Sequence, residues 1–221
     1  MRVAVLGAGP GGCVAALRLA AGGADVTLFE KKRFPREKVC GECVSALGQR
    51  VLKRLGVEIA GIELRACNVH PTRGRSMRWS LPSPMLGISR GTLDTTLRDH
   101  AQTAGITVEQ PANPAGSNET FDHTVDATGK ADRPPTGDFG IKTHFTNVDL
   151  PADAVHLFGC LGCYGGLAPV GGGVWNYSFG VPAQRLKNVR GDRDALRAEL
   201  QRENPALAAA LRDAKQVGKW H

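Results

Sequence analysis

Gly7-Ala8-Gly9-Pro10-Gly11-Gly12 follows directly on the apolar run RVAVL at residues 2–6 and opens an alanine-rich stretch. A short apolar run ended by glycine reads as a buried parallel strand. Residues 10–21 read as a helix with Val14, Leu17 and Ala21 on one face, ended by Gly22 and Gly23, since glycine readily adopts the left-handed conformation after a last turn. Residues 25–29 (DVTLF) form a second strand finishing at Glu30. In such a strand–turn–helix–strand unit Gly7 permits the tight turn, Gly9 lets backbone approach a pyrophosphate, and Gly12 lets helix and strand pack closely. The helix start presents N–H groups and the positive end of its dipole. Glu30 would accept hydrogen bonds from ribose hydroxyls, about 1.5–3 kcal/mol each, and its charge would repel a 2′-phosphate. The implied ligand is the ADP moiety of a dinucleotide.

The formal charge of +7 is concentrated in part at Lys31, Lys32, Arg33, Arg36 and Lys38. Such a run is either a solvated face or an attraction for a phosphate-bearing ligand. Nucleic acid is not an expected partner, because only 5% of residues are aromatic and no helix carries a basic, base-reading stripe. No apolar run reaches the 18 or so residues of a spanning helix, and the first residues lack a signal-peptide pattern. The expectations are no stable membrane insertion and a cytoplasmic location. The six cysteines are then expected as reduced thiols. Cys40/Cys43 and Cys160/Cys163 are two C-x-x-C pairs that could together make a tetrahedral zinc site. Compact zinc sites bring such pairs much closer in sequence, and no metal is assigned; a redox dithiol is the other reading of such pairs. The scattered histidines are given no role.

Further along, residues 44–55 read as a helix with Val44, Leu47, Val51 and Leu55 on one face. Short β-like runs follow from 61 to 90, then a helix over 92–104, strands at 106–109 and 121–126 joined by a turn-rich connector, an all-β stretch over 139–181, and a helical tail over 192–214 punctuated by Pro205. The fold class is α/β: a Rossmann-like parallel sheet with an inserted, mainly antiparallel β-sheet substrate domain. The expected domains are 1–60 with 91–135 (nucleotide-binding), 61–90 with 136–190 (β-rich), and 191–221 (C-terminal helices). At 221 residues the chain can sustain one large core or two modest ones.

Three further stretches resemble the flavoprotein monooxygenase and geranylgeranyl reductase superfamily. Arg36, Lys38, Cys40, Gly41 and Glu42 match an R-x-K-x-C-G-[ED] core; Arg90 opens an R-x-x-L-D-x-x-L helix; and Ala127-Thr128-Gly129 matches an A-T-G motif. The resemblance implies that these residues, with the glycine turn, lie at an FAD site. Tyr164 and Pro169 match the ends of a Y-x-W-x-F-P motif whose tryptophan is Gly166 here. That difference implies a hollowed position in a substrate pocket formed around Tyr164, Gly166 and Pro169, and argues against halogenase chemistry.

The resemblance implies an FAD-dependent oxidoreductase acting on an apolar small molecule, with NAD(P)H as reductant, that either oxygenates its substrate or passes hydride to a double bond. In such enzymes the cofactor carries the redox chemistry while the protein positions it and excludes water. A third family motif, a Gly-Asp pair after an apolar strand, is absent: Gly137-Asp138 and Gly191-Asp192 lack that strand. This favours a second expectation, an incomplete nucleotide-binding module whose partner chain supplies the missing loop. A Cys-rich metal-binding protein on the same scaffold is the third.

Overall fold

The computed structural model describes residues 1–112, 120–129 and 137–221. The connector expected at 111–119 lies largely outside them, as does the Lys130–Pro135 stretch. The chain divides into two compact units: Met1–Glu37, Leu47–Ile59 and Arg90–Asp132 in the first; Lys38–Ala46, Ala60–Ser89 and Arg133–His221 in the second. Lys38–Ala46, expected within the nucleotide-binding 1–60 segment, belongs to the second unit.

The first unit is built on a four-stranded parallel sheet. Its strands are β1 (Arg2–Leu6), β2 (Asp25–Phe29), β6 (Thr107–Glu109) and β7 (His123–Asp126), in the order β6-β2-β1-β7. Val3, Ala4 and Val5 of β1 and Val26 to Phe29 of β2 are buried in unbroken runs, as a sheet covered on both faces requires. Helix α1 (Pro10–Ala21) buries Gly12, Cys13, Ala16 and Leu17. Helix α3 (Arg90–Thr103) buries Leu93, Asp94, Leu97 and Ala101, a stripe at helical spacing with one acid in it.

Helix α2 (Ala46–Arg54) departs from expectation. Val44 belongs instead to a two-residue strand, β3 (Cys43–Val44), and Leu47 is 63% exposed, whereas Leu52 is buried. The apolar spacing that suggested a face started one element too early, and Leu52 rather than Leu47 turns inward.

The second unit holds an eight-stranded sheet in the order β12-β8-β11-β10-β9-β4-β5-β3. Its long strands are β4 (Ile62–His70), β5 (Met77–Gly87), β8 (Asp138–Thr146), β9 (Ala154–Cys160), β10 (Cys163–Gly171) and β11 (Val174–Pro182), with β12 (Lys215–Gln216) at one edge. Every pairing is antiparallel except β4 with β9. Strand β9 alternates buried and half-buried residues along its whole length, the period of a sheet with one covered face. The cover comes from the tail. After α4 (Ala183–Asn188), Leu196 and Leu200 of α5 (Arg193–Glu203) and Leu207 and Ala210 of α6 (Pro205–Ala210) share one core with Phe145, Phe158, Tyr177 and Phe179. The C-terminal helices are therefore part of the β-rich unit. Asp192 caps α5 by accepting from the N–H groups of Asp194 and Ala195, which accounts for the Gly191-Asp192 pair. Asn204 caps α6 and donates to the carbonyls of His70 and Gly159.

Two features of this unit bear on its stability. A Cβ on Gly165 would lie 2.1 Å from the ring of Phe179, itself fully buried, whereas one on Gly180 would meet only the Tyr164 carbonyl at 4.0 Å. Gly165→Ala is expected to cost about 1–3 kcal/mol in urea unfolding, and Gly180→Ala to be neutral or slightly stabilising. Equal effects would refute the assigned packing. The second feature is His156, which lies between His70 (centroids 5.5 Å apart, stacked) and Trp175 and bonds the Pro151 carbonyl at 2.9 Å. Burial holds both histidines below the usual imidazole value. The unfolded chain then binds more protons than the folded one, so stability is full above the ordinary value of 6.5 and falls as pH drops below it. A urea midpoint unchanged between about pH 7 and about pH 5 would count against this.

Candidate dinucleotide site

Two of the glycines in the turn are dictated by backbone meeting backbone. Gly7 has φ +97°, and a Cβ on it would lie 2.6 Å from the carbonyl oxygen of Ala127; a Cβ on Gly12 would lie 1.7 Å from the carbonyl oxygen of Gly7. Gly9 and Gly11 differ. The nearest atoms to a Cβ on Gly9 are the guanidinium tips of Arg36 (3.5 Å) and Arg90 (3.8 Å), and Gly11 has nothing within 4 Å. The turn thus has a closed side, sealed against β1 and β7, and an open side.

On the open side begins α1. Gly9 is its N-cap with extended backbone (φ −76°, ψ 179°), no side chain caps it, and Pro10 takes the first helical position. A helix start leaves N–H groups without intrahelical partners and carries partial positive charge. Two guanidinium groups beside it make the helix start a place fitted to a phosphate.

The arginines are held by two buried acids. Asp94, fully buried, takes a two-bond grip from Arg90 (2.9 and 2.8 Å) and lies 3.4 Å from Arg36. Arg36 also reaches Glu30 at 3.3 Å, and its Nε has no hydrogen-bond partner. Glu30 is expected to accept hydrogen bonds from ribose hydroxyls. Its carboxylate is only 5% exposed, accepts from the Ala8 and Lys32 N–H groups at 3.0 Å each, and faces Arg36. A carboxylate has about four acceptor sites, so acceptor capacity remains beside the Arg36 guanidinium. Of the basic run, Lys31, Lys32 and Arg33 are solvated, and Arg36 alone turns inward. The sequence reading missed Asp94; its signal was the four-residue spacing from Arg90 on one helix.

Ala127 continues from β7, donating its N–H to the Leu6 carbonyl. Thr128 closes the turn by donating both its N–H (2.9 Å) and its hydroxyl (2.6 Å) to one oxygen of Asp126, and these bonds, the hydroxyl's first, hold that carboxyl below its usual value. Gly129 follows at φ +84°. Gly7, Gly9, Gly12, Glu30, Arg36, Arg90, Ala127, Thr128 and Gly129 therefore all belong to the first unit. Cys13 lies beneath the helix start, its thiol pushed up to about 12 chiefly by burial and secondly by Asp94.

Lys38, Cys40, Gly41 and Glu42, assigned by resemblance to the same site, belong to the second unit. Lys38 and Gly41 are exposed and Cys40 half-buried. Glu42, at φ +58°, is buried with the fully buried Lys142 on one carboxylate oxygen and His144 on the other (2.7 Å). This trio ties the 38–46 segment to β8. A lysine inside a strand gave no sequence signal that it would be buried.

The second unit also contains a cavity of about 910 Å³ lined in part by Leu81, Met85, Val155, Leu157, Tyr164 and Gly166. Pro169 is not on its wall; its carbonyl instead backs Gly87, where a Cβ would approach to 2.1 Å. Gly166 does not simply open space: a Cβ there would lie 2.8 Å from the His156 carbonyl oxygen, so the small residue is required by the neighbouring strand. Cys43, Cys67, Cys160 and Cys163 reach the cavity. Among the described residues no three cysteine sulfurs lie within 4.8 Å of one another, so the two C-x-x-C pairs do not form a four-thiolate centre.

A glycine turn sealed between two parallel strands, an uncapped helix start and an acid closing the second strand define a Rossmann-like dinucleotide-binding protein. The chain belongs to the pyridine nucleotide-disulphide oxidoreductase family, whose profile matches residues 1–187. It is 49% identical over 55 residues to conditioned medium factor receptor 1 of Dictyostelium discoideum, covering 25% of this chain and 11% of that protein. It is 42% identical over 55 residues to menaquinone reductase of Mycolicibacterium smegmatis, covering 25% and 13%. Among solved structures it resembles the flavin-dependent halogenase CmlS (TM-score 0.82, 20% identity, 100% of this chain and 48% of that one). It also resembles the myxobacterial chondrochloren halogenase CndH (0.85, 16%, 100% and 62%) and a geranylgeranyl bacteriochlorophyll reductase-like protein of Thermoplasma acidophilum (0.72, 19%, 99% and 64%). At these identities the likeness is one of fold. The chain spans about an eighth or less of those curated relatives and about half to two thirds of those structures. Among the described residues no helix is long and apolar enough to cross a membrane.

Asp94 compensates two guanidinium groups at once. Asp94→Ala is expected to lower unfolding free energy by about 3–5 kcal/mol, the usual cost of leaving buried charge uncompensated. A urea midpoint within error of the unsubstituted chain would remove Asp94 from this role.

Proposed function

We propose that the chain is the nucleotide-binding and substrate-binding part of an FAD-dependent oxidoreductase acting on an apolar small molecule. The observation that carries this reading is the open side of the glycine turn, where Gly9 and Gly11 leave space beside an uncapped helix start and under the Arg36 and Arg90 guanidinium groups. Backbone N–H groups at the start of α1 would hold the pyrophosphate, with Arg36 and Arg90 as charged donors. Arg36 would turn from Glu30 to the phosphate, freeing the carboxylate for the ribose hydroxyls; its unpartnered Nε is consistent with a second position. Bound flavin would supply the redox chemistry, with NAD(P)H as reductant.

The apolar lining of the cavity in the second unit supports an apolar substrate. Several similar proteins, a flavin-dependent halogenase, a menaquinone reductase and a geranylgeranyl bacteriochlorophyll reductase-like protein, are redox catalysts by name, which supports this reading. Both substrate oxygenation and double-bond reduction fit the reading. So does a partner chain that completes the cofactor site.

Gly9 and Gly12 separate ligand binding from folding. Gly12→Ala drives a Cβ into the Gly7 carbonyl and is expected to unfold the first unit, whereas Gly9→Ala makes only ordinary contacts. Gly9→Ala is expected to keep its urea midpoint and weaken FAD binding about tenfold or more, as about 1.4 kcal/mol of lost approach would. Flavin fluorescence quenching and the visible spectrum read this out. An absence of flavin bands after reconstitution with excess FAD would overturn the proposal.

A further inference from the structure

The two faces of β11 differ in kind. Trp175, Tyr177, Phe179 and Val181 join the core under the tail helices. Asn176, Ser178 and Gly180, which alternate with them and so face the other way, line the cavity of about 910 Å³ in the second unit. Asn176 is 1% exposed. Its Nδ2 donates to the Cys40 carbonyl at 3.1 Å. A carbonyl can only accept, so this bond fixes which end of the amide is the oxygen. That oxygen, Oδ1, is buried and has no hydrogen-bond partner among the described residues, a costly state for an acceptor. On the β8 side, Lys142 and His144 are paired with Ser178 and Asn176, and both bond Glu42. On the other side, β10 sets Ala168 against Asn176 and Gly166 against Ser178, so no long side chain of that strand stands over either polar group. Leu81, Met85, Val155 and Leu157 supply apolar wall, and Asp138, which also lines the cavity, is exposed.

On the reading of this cavity as the substrate site, we propose that it takes an apolar molecule bearing a hydroxyl group, and that Asn176 Oδ1 accepts a hydrogen bond from that hydroxyl. Ser178 is what favours a hydroxyl over an N–H group. Asn176 and Ser178 stand two residues apart on one face of a strand, about 7 Å between Cα atoms. One ligand oxygen lying between their side chains donates to Oδ1 and accepts from the Ser178 hydroxyl. An N–H group donates but cannot accept. The apolar wall adds affinity for the body of the molecule without orienting it, whereas a polar anchor fixes which end turns toward β11. Asn176 thereby sets specificity and takes no part in electron transfer.

2-Naphthol and naphthalene, which differ by one hydroxyl, are the probes. The full chain, without added flavin, is equilibrated by dialysis against each, and bound probe is measured by chromatography. The readout is the ratio of the two affinities, which a general loosening of the cavity would leave unchanged. Asn176→Ala is expected to lower the preference for 2-naphthol about fivefold or more, the worth of one net hydrogen bond, while naphthalene still binds. Ser178→Ala leaves the Asn176 bond to the Cys40 carbonyl in place and is expected to lower the same ratio about threefold. A ratio unchanged in Asn176→Ala, or in Ser178→Ala should the first variant fold poorly, would overturn the assignment, as would failure of the unsubstituted chain to bind 2-naphthol. Flavin bands with an unchanged ratio would defeat the anchor alone. A lowered ratio without flavin bands would defeat the oxidoreductase reading and leave the anchor standing.

Discussion

The nucleotide-binding unit depends on a contact between two stretches of backbone. The carbonyl of Gly7 lies where a side chain at Gly12 would begin, at 1.7 Å from an ideal Cβ. That approach presses the first turn of α1 against the end of β1. The carbonyl of Ala127 seals Gly7 from the other side. Once both faces of the turn are closed, the remaining direction is open, and Gly9, Gly11 and the start of α1 all face it.

Charge organises what this opening can receive. Asp94 sits fully buried on the inward stripe of α3, a position that would ordinarily be apolar, and it is tolerable there because Arg90 grips it with two bonds and Arg36 approaches it as well. Arg36 is shared between Asp94 and Glu30. An arginine divided between two acids, with one nitrogen unpartnered, is well suited to turn toward an anion that offers more acceptor atoms. In the second unit a different buried charge group, Glu42 with Lys142 and His144, has both carboxylate oxygens engaged by side chains and serves to pin the 38–46 segment to β8.

Much of the first unit was legible because its determinants are local. The apolar runs of β1 and β2, the glycine spacing and the helix stop at Gly22-Gly23 each lie within a few residues of the structure they specify, and all three elements fall where the sequence reading put them. Helix α2 was misjudged at its start because Val44 fits helical spacing equally well as strand; what decides is the pairing of Cys43 and Val44 with Gly87 and Leu86. The tail helices were legible as helices but not as the cover of the β-sheet, since burial of Leu196, Leu200 and Leu207 against Phe145, Phe158 and Tyr177 joins residues far apart in the chain.

The chain alone determined the βαβ unit, the identity of the glycines and the acid that closes β2, because steric limits at a tight turn and the periods of strand and helix act between near neighbours. Only the tertiary structure decided that Arg36 covers Glu30, that Asp94 is the counter-charge of two arginines, that Gly166 is small to admit a neighbouring strand, and that Arg185 meets Cys163. Those relations rest on pairings across sheets and between helices whose partners are distant in sequence. They emerge from the register and packing of the elements rather than from any motif.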